Sequence, residues 1–117
     1  MSYGRNDPVP PPPGPGEFDI RFSCRDAAEG WEELCKHAAG NTLAAWRAMR
    51  TNPAPVPPTK RHHQLKGALA TAVRNGRPFP QWQIEVTGGG RLWYLFDVDA
   101  RTVWLRCVYI GHPKATE

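Results

Sequence analysis

Cysteine is scarce in this chain and long apolar runs are missing. Its three cysteines, Cys24, Cys35 and Cys107, are odd in number and show no CxxC or other metal-ligand spacing, which speaks against a disulfide framework or a cysteine-built metal site. Reduced core thiols are the expected state. No stretch approaches the roughly 20 apolar residues that a membrane span requires, and no apolar segment of signal-peptide type opens the sequence. A soluble, cytoplasmic protein is the expectation. Folding material is also limited, since the chain has 117 residues and six of its 13 prolines fall within the first sixteen. One core and one layered architecture fit, which excludes a multidomain enzyme or a fold built around a large cofactor. Neither a metal nor a cofactor is expected.

What the sequence does contain is a core-forming set and an uneven charge. Hydrophobic residues make up 40% of the chain, five of them tryptophans, so the whole is not a disordered one. Net charge is +4 with a pI near 9.3. Residues 1–59 hold six Lys/Arg against seven Asp/Glu, whereas residues 60–117 hold nine against four. The cationic field therefore belongs to the second half, where it favours a polyanion, an acidic protein or an anionic membrane as partner.

Residues 1–16 end in Pro-Pro-Pro-Pro-Gly-Pro-Gly and are expected to be a disordered or polyproline-II tail, leaving 17–117 as the folded domain. From Glu17 to Ser23 the alternation of Phe18, Ile20 and Phe22 with Asp19, Arg21 and Ser23 predicts a half-buried strand. Asp26 and Glu29 have capping-box spacing, and Trp31, Leu34, Cys35 and Ala38 follow at helical intervals until Gly40. Asn41 or Thr42 is suited to cap a second helix that carries Leu43, Trp46 and Met49 inward and ends near Thr51, before Pro53. Asn52–Thr59, with four prolines, reads as a rigid linker.

Beyond the linker the period changes from 3.6 to 2. Leu69–Val73, Asn75-Gly76 and Phe79–Val86 predict a hairpin with a type I′ turn, a helix over 63–74 being the competing reading. Gly88-Gly89-Gly90 then leads into a strand at Arg91–Val98, and Asp99-Ala100-Arg101 into another at Thr102–Ile110. The fold class expected is α+β, in the order β-α-α-β-β-β-β, with a helical hairpin on one face of a mostly antiparallel sheet.

Strict alternation sends Trp82, Ile84, Val86, Leu92, Tyr94, Phe96, Val98, Val103, Leu105 and Cys107 beneath the helices. It turns Gln83, Glu85, Thr87, Arg91, Trp93, Leu95, Trp104, Arg106 and Val108 to the other, solvent-facing side. Each of these is ordinary surface when taken alone. Together, a carboxylate, two guanidiniums and tryptophans, with His112 and Lys114 just past the last strand, suit single-stranded RNA. Arginine pairs bidentately with phosphate, and indoles stack on unpaired bases. Glu85 and Arg91 fit a plain cross-strand ion pair equally well. His62 and His63 have no third or fourth partner at metal-ligand spacing and read as solvated or RNA-backbone residues.

The stretch Trp82-Gln-Ile-Glu-Val-Thr-Gly-Gly-Gly-Arg-Leu-Trp-Tyr94, with Arg101-Thr-Val-Trp-Leu and Gly111-His-Pro-Lys114, resembles the C-terminal half of RelE/ParE-superfamily toxins of bacterial type II toxin–antitoxin systems. Leu65-Lys66-Gly67 resembles the motif preceding that family's strand meander. The likeness covers residues 17–117. It implies an endoribonuclease that cuts mRNA in the ribosomal A site and is held inactive by an acidic antitoxin. Carried over residue by residue, it implies Arg91 as the phosphate-binding arginine, Glu85 as general base and His112 as general acid. Arg106, Lys114 and Lys66 would contact RNA phosphates, and Trp93 would stack on a base. Two other functions fit the same scaffold: a ParE-like inhibitor of DNA gyrase, and a non-catalytic RNA- or protein-binding domain.

Overall fold

Alternation around Ile20 and Phe22 produces the first strand, β1 (Asp19–Phe22), and the helical periodicity that follows produces α1 (Arg25–His37) and α2 (Ala39–Thr51). The structure is a computed structural model that describes residues 3–111. After the linker come β2 (His62–Gln64), one 3-10 turn at Gly67–Leu69, β3 (Thr71–Arg74), β4 (Arg77–Glu85), β5 (Arg91–Asp97) and β6 (Thr102–Tyr109). The class is α+β, but the order gains one strand, because β2 is three residues long and wholly polar. Only its ladder to β4, pairing His62 with Ile84 and Gln64 with Trp82, makes it a strand. A helix over 63–74 does not form.

The six-stranded sheet runs β1-β6-β5-β4-β2, with β3 also on β4. β1 lies parallel to β6, and the remaining pairs are antiparallel. Gln81 donates its amide to the Ala70 carbonyl at 2.8 Å and accepts from the Leu65 amide at 2.9 Å. Since one residue's N–H and C=O point to the same side of a strand, β2 and β3 form a single interrupted edge. The hairpin between β3 and β4 follows the expected register, and Asn75 and Gly76 adopt φ values of 51° and 78° as a type I′ turn demands.

Both helices cover one face of this sheet. Ile20, Phe22, Leu34, Met49, Leu92, Tyr94, Val103 and Leu105 are each at most 1% exposed and form its core. Gly30 permits the close approach of α1 to β6, because a Cβ there would sit 2.8 Å from the Cβ of Val108. The helix junction differs from expectation. Ala38 alone separates the helices and Gly40 lies within α2, so Asn41 and Thr42 cap nothing. Thr42 is instead buried, and its hydroxyl donates to the Leu34 carbonyl at 3.2 Å. This register turns Thr42, Ala45 and Met49 inward and leaves Leu43 46% exposed. The capping box is likewise unused: Cys24 is the N-cap but its thiol donates to the Arg106 carbonyl at 3.6 Å rather than capping the helix, while Asp26 sits inside the first turn.

The proline-rich segment is not a free tail where the structure describes it. Val9 is fully buried in the core. Asn6 and Val9 donate their amides to Phe22 and Ile20 at 2.8 Å, Phe22 donates back to Asp7 at 2.9 Å, and the segment thereby covers the outer edge of β1. Arg50 fastens it: the fully buried guanidinium donates to the carbonyls of Phe18, Val9 and Pro11. Composition favours an extended backbone here, and an extended backbone is also what a sheet edge accepts.

Two further corrections concern the opposite face. β6 carries a bulge, since Trp93 pairs with Cys107 while Tyr94 pairs with Leu105, so Arg106 is the extra residue. The alternation flips past it: Val108 packs on the core, and Cys107 and Tyr109 share the side of Trp93. In addition, the hairpin of β3 and β4 bends across that side. Arg74 lies 3.5 Å over the Trp104 ring and donates to the Asn6 side chain at 2.8 Å. Phe79, Trp93 and Leu95 are 8%, 3% and 1% exposed, a small second core where solvent was expected. Val98, placed in the core by alternation, lies past the end of β5 and is 61% exposed.

Candidate functional site

Register places the candidate residues in rows across the sheet. Glu85 on β4 pairs with Arg91 on β5, and Arg91 pairs with Tyr109 on β6. Directly opposed residues have Cβ atoms about 5 Å apart, so a carboxylate, a guanidinium and a phenol occupy one row spanning about 10 Å. The next row is Gln83, Trp93 and Cys107. Between them these two rows contain Glu85, Arg91 and Trp93, while Trp104 and Arg106 lie outside them.

Arg91 is 7% exposed and built into its surroundings. Its Nη1 donates to the Thr87 carbonyl at 3.0 Å and the Gly90 carbonyl at 3.2 Å, and lies 3.8 Å from Glu85 Oε1. The guanidinium therefore fixes the glycine turn and sets the position of Glu85. That turn needs glycine, because a Cβ on Gly90 would fall 2.8 Å from Thr87 Oγ1, the atom that accepts the Gly90 amide. Glu85 keeps part of its side chain in solvent, at 25% exposure against 9% for Arg91. The ion-pair reading of these two residues holds, and the carboxylate remains reachable from solution.

Trp93 is no stacking platform. Its indole N–H donates to Gln83 Oε1 at 2.8 Å, and Tyr109 packs on it edge to face at 5.1 Å. Arg106, exposed at the bulge, donates to Gln81 Oε1 at 2.9 Å and keeps further donors free for solvent or a ligand. Lys66 is also exposed but belongs elsewhere, on the loop that interrupts the β2–β3 edge, next to Leu65 at the level of Gln81. Four residues of β4 separate that level from Glu85, or about 13 Å. His112 and Lys114 lie outside the described residues. The preceding Gly111 sits against Gly89 of the glycine turn, so the chain leaves the described fold beside the row.

Tyr109 is the residue that alternation missed, since only the bulge brings it beside Arg91. Burial, with a hydrogen bond to Cys107, pushes its hydroxyl up to about 12. It stays protonated at neutral pH and serves as a hydrogen-bond donor. A second polar network ties the linker to the sheet on the helix side. Tyr94 donates its hydroxyl proton to the Pro53 carbonyl, which requires His62 Nε2, 2.5 Å away, to donate to the Tyr94 oxygen. Burial lowers the pKa of His62, with His63 adding to the effect against a hydrogen bond to Pro53.

Among the described residues no three His, Cys, Asp or Glu side chains gather as metal ligands, and no helix is long and apolar enough to cross a membrane. Comparison with protein-family models, curated proteins and solved structures finds no match. Chemistry and topology alone therefore carry the functional reading.

Proposed function

We propose that this chain is a toxin of the RelE/ParE type, an endoribonuclease acting on mRNA at the ribosome and held inactive by an acidic antitoxin. The row Glu85–Arg91–Tyr109 is the observation that carries the reading. The topology supports it too, with the first strand parallel to the last and a meander completing the sheet.

In the proposed reaction the Glu85 carboxylate removes the proton of a ribose 2′-hydroxyl, and the 2′ oxygen attacks the adjacent phosphorus. The bond to the 5′ oxygen breaks, leaving a 2′,3′-cyclic phosphate on one fragment and a 5′-hydroxyl on the other. Negative charge added to the phosphoryl oxygens meets the Tyr109 hydroxyl and the exposed guanidinium of Arg106. Arg91 acts through Glu85, which it positions. The proton for the departing oxygen is assigned to His112, which follows Gly111 at the glycine turn. A shallow site suffices, because the ribosome positions the substrate. The basic second half supplies the attraction to an acidic antitoxin.

The test is to map transcript 5′ ends after induced expression of wild type and Glu85→Gln. Wild type should create new ends on ribosome-bound mRNA, and Glu85→Gln should reduce them about 10²- to 10⁴-fold, the usual contribution of a general base. Equal cleavage by both proteins overturns the assignment of the base.

One observation favours a second reading. Trp93 and most of Arg91 are buried, so the site exposes fewer groups than an RNA-cleaving surface is expected to present. A ParE-like inhibitor of DNA gyrase needs no acid–base pair. It would induce a DNA-damage response and leave transcripts intact.

A further inference from the structure

A cleft of about 530 Å³ lies between the proline-rich linker and the β2 edge, within the size range of ligand pockets. Thr59, Lys60, His63, Lys66 and Trp82 are among the residues that line it, and no carboxylate is among them. The sequence explains that bias, since no Asp or Glu occurs between Glu33 and Glu85. Linker, β2, β3 and nearly all of β4 thus bring only Lys60, Arg61, Lys66, Arg74 and Arg77 as fixed charges. Both lysines are exposed, and neither has a carboxylate partner lining the cleft.

Trp82 gives the cleft its second character. The indole is half-buried, packed on the core and held edge to face by His62 at 5.8 Å, so it is a rigid aromatic wall. His63 adds a directed polar group: the Thr59 carbonyl accepts from Nδ1 at 3.2 Å, which leaves Nε2 as an acceptor in the neutral ring. Two ammonium groups beside one fixed indole match an unpaired nucleotide, with the base stacked and the phosphate neutralised. An acidic peptide would use the lysines and leave the indole idle. Lysines act as point charges and stacking tolerates any base, so such a grip is independent of sequence.

We propose that this cleft holds a nucleotide of single-stranded RNA, its base against Trp82 and its phosphate between Lys60 and Lys66, outside the Glu85 row. The proposal rests on the RNA reading above. It also gives that reading a path, because β2 joins the two places: the Glu85 amide donates to the Arg61 carbonyl at 2.7 Å, and His63 lines the cleft two residues later. RNA lying along this edge reaches both.

The experiment measures binding of a short fluorescein-labelled oligouridylate by anisotropy over a range of salt, with the full chain as wild type, Lys60→Gln/Lys66→Gln and Trp82→Phe. The lysine variant should bind more weakly and reduce the slope of log K against log salt by about 1.4, two contacts at about 0.7 each for a single strand. Trp82→Phe should weaken binding with the slope unchanged, circular dichroism confirming the fold. Wild-type binding with an unaltered slope in the lysine variant overturns the cleft and leaves the RNA reading standing. No binding by wild type overturns both. Displacement of the oligouridylate by polyglutamate at equal charge also overturns the proposal, since it marks a surface indifferent to bases.

Discussion

The two faces of the sheet are built from the same strands and came to be buried in different ways. On the helix side, Leu92, Tyr94, Val103 and Leu105 meet α1 and α2, which are neighbours along the chain and carry their own apolar stripe. On the other side, Phe79, Trp93 and Leu95 are buried without a helix: the hairpin of β3 and β4 bends back over the sheet, with Arg74 against Trp104, and Tyr109 packs on Trp93. A helix announces the face it will cover by its periodicity. A bent hairpin gives no such notice, so the second face reads as wet until the bend is seen.

The sharpest break of this comparison is a pair of neighbours. Tyr94→Ala and Trp93→Ala empty opposite faces at adjacent positions, and each should cost about 3 to 5 kcal/mol of unfolding free energy, as large aromatic truncations in cores do. Urea denaturation measures both. A loss for Trp93→Ala within about 0.5 kcal/mol, the range of ordinary surface changes, would show that its face is solvent-exposed after all.

A smaller effect separates the faces by pH. His62 belongs to the helix-side network, and burial holds its folded pKa below that of the unfolded chain. The unfolded state therefore binds the proton more readily, so stability is complete above the unfolded value of about 6.5 and falls as pH drops through and below it. Thermal unfolding between pH 7.5 and 5 should show this loss, and His62→Gln should reduce it. An unchanged profile in the variant would remove His62 as the cause.

Smallest is the roof itself. Arg74→Ala removes the guanidinium over Trp104, worth about 0.5 to 1 kcal/mol for a partly exposed pair. It should also raise the accessibility of Trp104 to acrylamide quenching. Unchanged quenching would mean that the hairpin covers this face without Arg74.

Residue patterns in the sequence carried much of the fold. Helix one, the end of helix two before Pro53, the Asn75-Gly76 hairpin and the last two strands all rest on local signals, namely 3.6-residue periodicity, proline sterics, positive φ and alternation. Pairing of Glu85 with Arg91 was legible too, because the glycine turn between them sets the register. Tyr109 was not, since a bulge at Arg106 has no composition of its own and yet inverts every side chain beyond it. β2 escaped notice for a related reason: three polar residues become a strand only when β4 offers its edge.

By itself the sequence determined that a strand and two helices precede a strand meander, that Asn75-Gly76 and the glycine run make turns, and that positive charge gathers in the second half. These depend on backbone sterics and side-chain spacing within a few residues. Tertiary structure alone decided that Val9 enters the core, that Arg91 and Trp93 are buried, and that Lys60, Lys66 and Trp82 share one cleft. Those outcomes depend on contacts between segments distant in the chain, where an extended proline-rich strand, a bent hairpin and a sheet edge satisfy one another's polar groups and apolar surface.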